Sequence, residues 1–145
     1  NFDEVIISTG TATKAEIDNL RNLLDPSKSV VMHCVSSYPC EIDNANLNRL
    51  SYLKQNFPQI GYSDHVSGIQ ASIFSLSYMP KYIEKHFTTD KGLPGRDNKF
   101  AITPNELNEL FEYINQYKKA TTDRGIDYQD IEESSRKYYR GRFNN

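Results

Sequence analysis

Two short motifs near the middle of the chain carry residue types that can do chemistry: Gly-Tyr-Ser-Asp-His, which ends at His65, and Ile-Glu-Lys-His-Phe, which contains His86. We expect the first motif to end one β-strand and the second to lie in the next. Side chains alternate between the two faces of a strand, so Glu84 and His86 point to one side and Lys85 to the other. Glu84 and His86 can therefore share a cavity with His65. Two imidazoles with nearby carboxylates suit a divalent metal that keeps open coordination positions.

The same histidines also have a structural interpretation. A single histidine in a strand is usually a hydrogen-bonded group that binds no ligand. His33, within Val-Val-Met-His-Cys, has no neighbour in sequence that suggests chemistry. A site at His65 and His86 is favoured by their shared position at the carboxyl ends of strands, where barrel enzymes form their active sites. Whether these histidines bind a ligand or are only structural therefore depends on the architecture of the fold.

Composition and charge narrow the class of protein. The 145 residues suffice for one domain with a real core. The net charge is −2 and the basic residues are spread out, so we expect no nucleic-acid partner. We find no apolar run of membrane-spanning length and no signal peptide, so we expect no membrane association. Two cysteines, Cys34 and Cys40, are too few for a disulfide framework or a zinc site, which favours a reducing, cytoplasmic setting.

Strand-like and helix-like patterns alternate four times along the chain. The predicted strands are residues 5–8, 30–35, 60–63 and 82–87. An amphipathic helical pattern follows each of them. Thr-x-x-Glu capping boxes at Thr13 and Thr103 predict where the first and last helices begin, and Pro104 suits a first helical position. Four successive strand–helix units predict parallel strands that are buried on both faces.

This organisation predicts an α/β fold of the (β/α)8 TIM-barrel family, of which the chain holds half the units. A closed barrel needs eight units and about 250 residues. We therefore expect residues 1–120 to form a half-barrel of four β/α units. Residues 121–145 are polar and lack an adequate apolar stripe, so we expect a linker or tail. The chain opens with Asn1, already close to a strand, which indicates a piece of something longer.

Five motifs, in order, resemble the sialic acid synthase family, which comprises N-acetylneuraminate synthase and the related legionaminate and pseudaminate synthases. They are Ser-Thr-Gly-Thr-Ala-Thr ending at Thr13, His-Cys-Val-Ser-Ser-Tyr-Pro from His33, the motifs that contain His65 and His86, and Leu-Pro-Gly-Arg-Asp ending at Asp97. The resemblance runs from about Val5 to Ala120. It implies the second half of the synthase barrel, strands five to eight. The tail would lead to a small antifreeze-like domain that this chain lacks.

The resemblance implies a reaction and roles for individual residues. The family condenses phosphoenolpyruvate with an N-acyl hexosamine, N-acetylmannosamine or a relative, to give a nonulosonic acid and phosphate. The implied metal is Mn²⁺ or Mg²⁺, and the implied partners are a missing amino-terminal half-barrel and a second copy in a homodimer. The implied residues are His65 and His86 for the metal, Ser36 and Ser63 for phosphoenolpyruvate, Tyr38 and Asp97 for the sugar, and Glu84 for ligand orientation or proton relay.

Other interpretations stay open from the residues alone. Glu84 can equally be a carboxylate that only fixes Lys85 or a neighbouring histidine. Asp97 lies too far along the chain from His86 for a metal-ligand role to be presumed. The chain can also be a catalytically silent half-barrel that needs a complementary chain. A metal-dependent aldolase or hydrolase on an unrelated barrel is a third and weaker alternative.

Overall fold

The computed structural model of the chain describes residues 2–141 and confirms the alternation of strands and helices. The strands are β1 (Val5–Ser8), β2 (Ser29–Cys34), β3 (Ile60–Asp64) and β4 (Tyr82–Lys85). The helices are α1 (Lys14–Leu23), α2 (Asn48–Asn56), α3 (Gln70–Ser75), α4 (Pro104–Ala120) and α5 (Glu133–Tyr139). Short 3₁₀ helices occur at Ile42–Asn44, Leu76–Tyr78 and Asp130–Glu132.

The four strands form one sheet in the order β1-β2-β3-β4, and every pair is parallel. Each strand is therefore hydrogen-bonded to its neighbour in sequence, with a helix in each connection. Four such units are half of an eight-stranded barrel. The predicted half-barrel is confirmed, with β1 and β4 as its two edge strands.

Local capping explains where the first and last helices of the half-barrel begin. Thr13 Oγ1 accepts a hydrogen bond from the Glu16 backbone N–H at 3.3 Å, and the Glu16 carboxylate accepts one from the Thr13 N–H at 2.7 Å. Thr103 and Glu106 make the same pair of contacts at 3.4 and 2.8 Å before α4. Each box supplies partners to N–H groups that the helix itself leaves unpaired. Both predicted capping boxes are thus confirmed.

The two faces of the sheet have different surroundings. One face packs against the helices, and its core includes Ile17, Val31, Leu50, Leu53, Ile60 and Tyr62. We call the opposite face the inner face, because it corresponds to the inside of a barrel. The alternation of side chains puts Ser63 and Glu84 on the inner face, and Asp64 and Lys85 on the helix face. The central strands β2 and β3 are buried throughout, whereas both edge strands carry exposed residues.

Strand β4 is shorter than predicted. The prediction extended it to Phe87, but it ends at Lys85, so His86 lies just beyond the strand. The His86 carbonyl accepts a hydrogen bond from the Ile102 N–H at 2.8 Å, and the Thr88 N–H donates to the Ile102 carbonyl at 2.9 Å. The chain therefore leaves the sheet at His86 to pair with the segment that precedes α4.

The predicted linker or tail, residues 121–145, contains the short helix α5. No residue of α5 is buried, which agrees with the absence of an apolar stripe. Residues 142–145 lie outside the described part of the chain. Within residues 2–141, no helix is long and apolar enough to cross a membrane.

Candidate functional site

His65 follows β3 directly and is held by a backbone hydrogen bond. Its Nδ1 lies 2.8 Å from the Val35 carbonyl oxygen, and Cys34 Sγ lies 3.8 Å from the same nitrogen. A carbonyl only accepts, so Nδ1 carries a hydrogen, and in the neutral ring Nε2 keeps its lone pair. This is the arrangement by which a backbone carbonyl fixes the tautomer and orientation of a metal-binding histidine. His65 is buried, with 6% of its surface exposed.

His86 lies beside His65, as predicted. The centroids of the two imidazole rings are 5.3 Å apart. Asp97 Oδ2 is 3.6 Å from His86 Nδ1, which is too long for a hydrogen bond but close enough for an ion pair with a protonated ring. Asp97 and His86 are therefore close in space although they are well separated in sequence, because the loop that follows β4 folds back onto the site.

Aromatic rings form one wall of the site. The Tyr38 ring lies 4.3 Å from His65 and meets His86 edge-on at 5.9 Å, measured between centroids. Phe100 contacts His86 at 5.2 Å. Tyr38 is brought here because its loop pairs with the end of β3: the Cys40 N–H donates to the His65 carbonyl at 2.9 Å. Phe100 was not predicted, since it lies in a loop and no spacing pattern marks it.

Ser63 and Glu84 form a second pair on the inner face. The Ser63 hydroxyl donates to Glu84 Oε1 at 3.0 Å, and the two residues are register partners in β3 and β4. The alternative in which Glu84 fixes Lys85 is wrong, because Lys85 points to the helix face and pairs with Asp64 at 3.2 Å. Glu84 is thus held by a serine on the same face.

Ser36 stands apart from the two rings. Its hydroxyl lies 4.0 Å from Cys34 Sγ, and Cys34 in turn lies beside His65 Nδ1. Ser36 also lines a polar opening of about 460 Å³ at the end of β2, together with Thr11 and Arg49. The Ser36 side chain therefore approaches His65 through Cys34.

A buried polar cluster behind the site was missed by the sequence analysis. Asp64 accepts hydrogen bonds from the Ser72 hydroxyl at 2.6 Å and the Val66 N–H at 2.8 Å, and it pairs with Lys85. Burial lowers the pKa of Lys85, and the Asp64 carboxylate opposes that shift. Burial likewise raises the pKa of Tyr62, whose hydroxyl donates to Asp64 at 3.2 Å. Asp64 and Lys85 each precede a site histidine, which is the one signal in the sequence that marks them.

His33 is structural, as its sequence context indicated. It is fully buried on the helix face, where its ring stacks on Tyr62 with centroids 5.6 Å apart. Nε2 lies 2.7 Å from the Ala45 carbonyl and so donates to it, while Nδ1 has no hydrogen-bond partner in the described structure. Burial lowers the pKa of His33 and so favours the neutral ring.

The chemistry of the donor set suits a divalent metal with open positions. Among residues 2–141, no group of three or more His, Cys, Asp or Glu side chains is arranged to hold a metal ion. The protein donors at hand are the two neighbouring imidazoles, one of which presents a free Nε2. A site with two neutral protein ligands leaves several positions for water or substrate oxygens.

An apolar groove of about 590 Å³ between β4 and α4 lies on the helix face and includes none of the predicted site residues.

A parallel half-barrel with two histidines just beyond the carboxyl ends of its strands has the architecture of half of a TIM-type barrel. The family model described as the NeuB family matches residues 2–125. The chain therefore belongs to the NeuB family, and the predicted family is confirmed.

Named relatives agree with this assignment. The chain is 36% identical over 126 residues to the N,N'-diacetyllegionaminic acid synthase of Campylobacter jejuni, covering 83% of this chain and 38% of that protein. It is 34% identical over 119 residues to the N-acetylneuraminate-9-phosphate synthase of Drosophila melanogaster, covering 79% of this chain and 32% of that protein. The crystal structure of the N-acetylneuraminic acid synthetase from Leptospira borgpetersenii superimposes with a TM-score of 0.82 at 33% identity, covering 98% of this chain and 50% of that one. The chain thus spans about a third of the length of these two curated relatives.

Proposed function

We propose that this chain supplies the second half of the barrel of a nonulosonic acid synthase, which condenses phosphoenolpyruvate with an N-acyl hexosamine and releases phosphate. The observation that carries the proposal is the meeting of His65, His86, Tyr38 and Asp97 beyond the strand ends. The chain belongs to the NeuB family, and its similar proteins include legionaminic acid and N-acetylneuraminate-9-phosphate synthases, which supports the proposal. The family relationship favours this reaction over the aldolase or hydrolase alternative.

The residues that would hold a divalent metal, Mn²⁺ or Mg²⁺, are His65 through Nε2 and His86. The metal, when bound, supplies Lewis acidity toward the sugar carbonyl. His65 is oriented for this task by Val35, since its Nδ1–H is already engaged. Tyr38, about half exposed, offers an aromatic surface beside both imidazoles. Asp97 is partly exposed and accepts hydrogen bonds from sugar hydroxyls.

The steps of the proposed reaction suggest roles for Ser36, Ser63 and Glu84. C3 of phosphoenolpyruvate forms a bond to the aldehyde carbon of the open-chain sugar. The aldehyde oxygen takes up a proton and becomes a hydroxyl, and C2 is left electron-poor. Water adds at C2, and the C–O bond to phosphate breaks, so the products are the nonulosonic acid and inorganic phosphate. The Ser36 hydroxyl donates to phosphoenolpyruvate. The Ser63 hydroxyl, which donates to Glu84 in the structure, turns to donate to phosphoenolpyruvate when it binds, and Glu84 takes the proton from the water that adds at C2. The contact between Ser63 and Glu84 supports placing these two roles side by side.

The experiment is a phosphate-release assay on the natural full-length protein. Phosphate release from phosphoenolpyruvate should require N-acetylmannosamine or a related N-acyl hexosamine, stop with EDTA, and return with Mn²⁺ or Mg²⁺. Release that does not depend on the sugar would contradict the condensation. The nonulosonic acid itself is identified by mass spectrometry.

A silent half-barrel remains the second candidate, because the chain has two open edge strands and spans only 38% of the Campylobacter enzyme. Complementation separates the two candidates. The chain alone should be inactive, and co-expression with a first half-barrel should restore product if the proposed residues are competent. Failure of every folded complement would favour the silent half-barrel. The cytoplasmic setting and the homodimer stay predictions.

A further inference from the structure

A buried ion pair lies behind the two site histidines, on the helix face of the sheet. Asp64 Oδ2 and Lys85 Nζ are 3.2 Å apart, and their side chains are 0% and 5% exposed. The two residues are register partners at the ends of β3 and β4. Removing two charges from water is costly, and an apolar pair of similar volume often stabilises a fold equally well or better. The contribution of this pair to stability is therefore a weak explanation for its position.

The ion pair and its hydrogen-bond partners tie together four parts of the chain. Asp64 accepts from the Val66 N–H at 2.8 Å, and Lys85 donates to the Val66 carbonyl. The turn after β3 is thus held at both its N–H and its carbonyl group. Asp64 also accepts from Ser72 of α3 at 2.6 Å. The cluster joins the end of β3, the turn that follows it, α3 and the end of β4.

The cluster is placed where sheet pairing stops. Asp64 and Lys85 are the last residues of their strands, and His65 and His86 are the next residues along the chain. Beyond this point the two backbones diverge: the His65 carbonyl accepts from Cys40, and the His86 carbonyl accepts from Ile102. The Asp64–Lys85 contact is thus the last direct link between β3 and β4 before the histidines.

We propose that Asp64 and Lys85 are positioning residues that set the separation and orientation of His65 and His86 from the opposite face of the sheet. The importance of this positioning for metal binding rests on the function proposed above. The geometric part does not, because it concerns the two rings themselves. Groups that orient metal ligands typically change metal affinity or activity by about 10- to 100-fold when they are replaced.

The test uses the natural full-length protein and the double variant Asp64→Asn/Lys85→Met, which removes both charges and leaves neither unpaired. The first readout needs no metal: the NOE between the His65 and His86 rings, whose centroids are 5.3 Å apart in the structure. We expect this NOE to weaken or disappear. The second readout is Mn²⁺ affinity, followed by the EPR signal of the free ion, and we expect a fall of about 10- to 100-fold.

A control separates positioning from general loss of stability. Ile17→Ala truncates a buried side chain of α1, which follows β1 at the opposite edge of the sheet from β4. It should lower the melting temperature without changing the ring-to-ring NOE or the Mn²⁺ affinity. If the double variant does not fold, Ser72→Ala provides the same comparison, because it removes a donor to Asp64 without touching a charge.

The outcomes are distinct. An unchanged NOE in the double variant, or an equal loss in Ile17→Ala, overturns the positioning role. An unchanged Mn²⁺ affinity in a double variant overturns it as well, provided that the wild type binds Mn²⁺ in a way that His65→Ala abolishes. If the NOE is lost but the wild type shows no such Mn²⁺ binding, the positioning stands and the proposed metal-dependent function fails.

Discussion

The Tyr82 phenol donates a hydrogen bond of 2.8 Å to the carboxylate of Glu4, although the two residues belong to opposite edges of the sheet. Glu4 precedes β1 and Tyr82 begins β4, and Lys81 pairs with the same carboxylate. The half-barrel is therefore bridged by side chains at the amino-terminal end of its inner face. The site histidines lie at the other end, where the strands finish.

This bridge does not cover the edges, and we predict that the 145-residue chain self-associates in solution. Ile6 in β1 is 49% exposed on the inner face, and both edge strands offer unpaired backbone groups. Sedimentation velocity should show dimers or larger species, or else a partly folded chain. Ile6→Lys should reduce the association, because a charge on an edge strand opposes pairing. A monomer that melts cooperatively in calorimetry would contradict the prediction.

The two site histidines give a second prediction. His65→Ala and His86→Ala should each abolish Mn²⁺-dependent condensation in the full-length protein and weaken Mn²⁺ binding by more than roughly 100-fold, beyond the usual effect of groups that only orient a ligand. One imidazole cannot hold the metal against water. His33→Gln is the matched control, since His33 is a buried histidine that donates to Ala45 and lies on the helix face. Near wild-type activity in either alanine variant would remove the metal assignment.

A third prediction concerns Asp97, whose replacement should affect sugar recognition and not metal binding. Its carboxylate lies 3.6 Å from His86 Nδ1, beyond hydrogen-bonding distance, so it does not fix that ring tightly. Asp97→Ala should remove a charged acceptor for a sugar hydroxyl, a loss of about 1.5–3 kcal/mol, or roughly 10- to 100-fold in kcat/KM for the sugar. Mn²⁺ affinity should change little.

Titrating the sugar and the metal separately in the Asp97→Ala protein decides the point. Asp97→Asn, which keeps an acceptor oxygen, should fall between the wild type and the alanine variant. If Asp97 only closes its loop, stability drops while the KM for the sugar is unaffected. Lost Mn²⁺ binding would make the residue part of the metal site instead.

His33 predicts a pH dependence of stability. Burial lowers the pKa of His33 in the folded protein, whereas the unfolded imidazole has its ordinary pKa near 6.5. Below that pH the unfolded state takes up more protons than the folded state, so the free energy of unfolding falls as the pH drops. The contribution is complete above about pH 6.5, and every tenfold difference in proton affinity costs about 1.4 kcal/mol.

The measurement for His33 is the free energy of unfolding from pH 5 to 8 in the wild type and in His33→Gln. Glutamine keeps a donor for Ala45 but does not titrate in this range. The difference between the two curves isolates His33 from the other histidines. We expect a shallower slope below pH 6.5 in the variant, and parallel curves would show that His33 does not titrate differently in the two states.

The order of elements could be predicted because its signals are local. Apolar runs mark the strands, and the boxes at Thr13 and Thr103 fix the helix starts through contacts only three residues apart. The end of β4 could not be predicted, since it depends on the distant pairing of His86 with Ile102. The same holds for the approach of Asp97 to His86 and for the choice of Asp64 as the partner of Lys85. The nearness of His65 and His86 was predictable, because parallel register brings successive strand ends together.

Because side chains alternate along β4, the protein is sensitive to the register of β4 against β3. Glu84 faces the inner surface and Lys85 faces the helices, so a slip of one residue against β3 would exchange them. The ammonium would then stand where the water-activating carboxylate is proposed, and the Glu84 carboxylate would be buried beside Asp64 without a cation. We therefore expect the insertion or deletion of one residue within β4 to lower activity and stability more than a substitution there. Such a change displaces the proposed catalytic carboxylate and the buried ion pair at the same time.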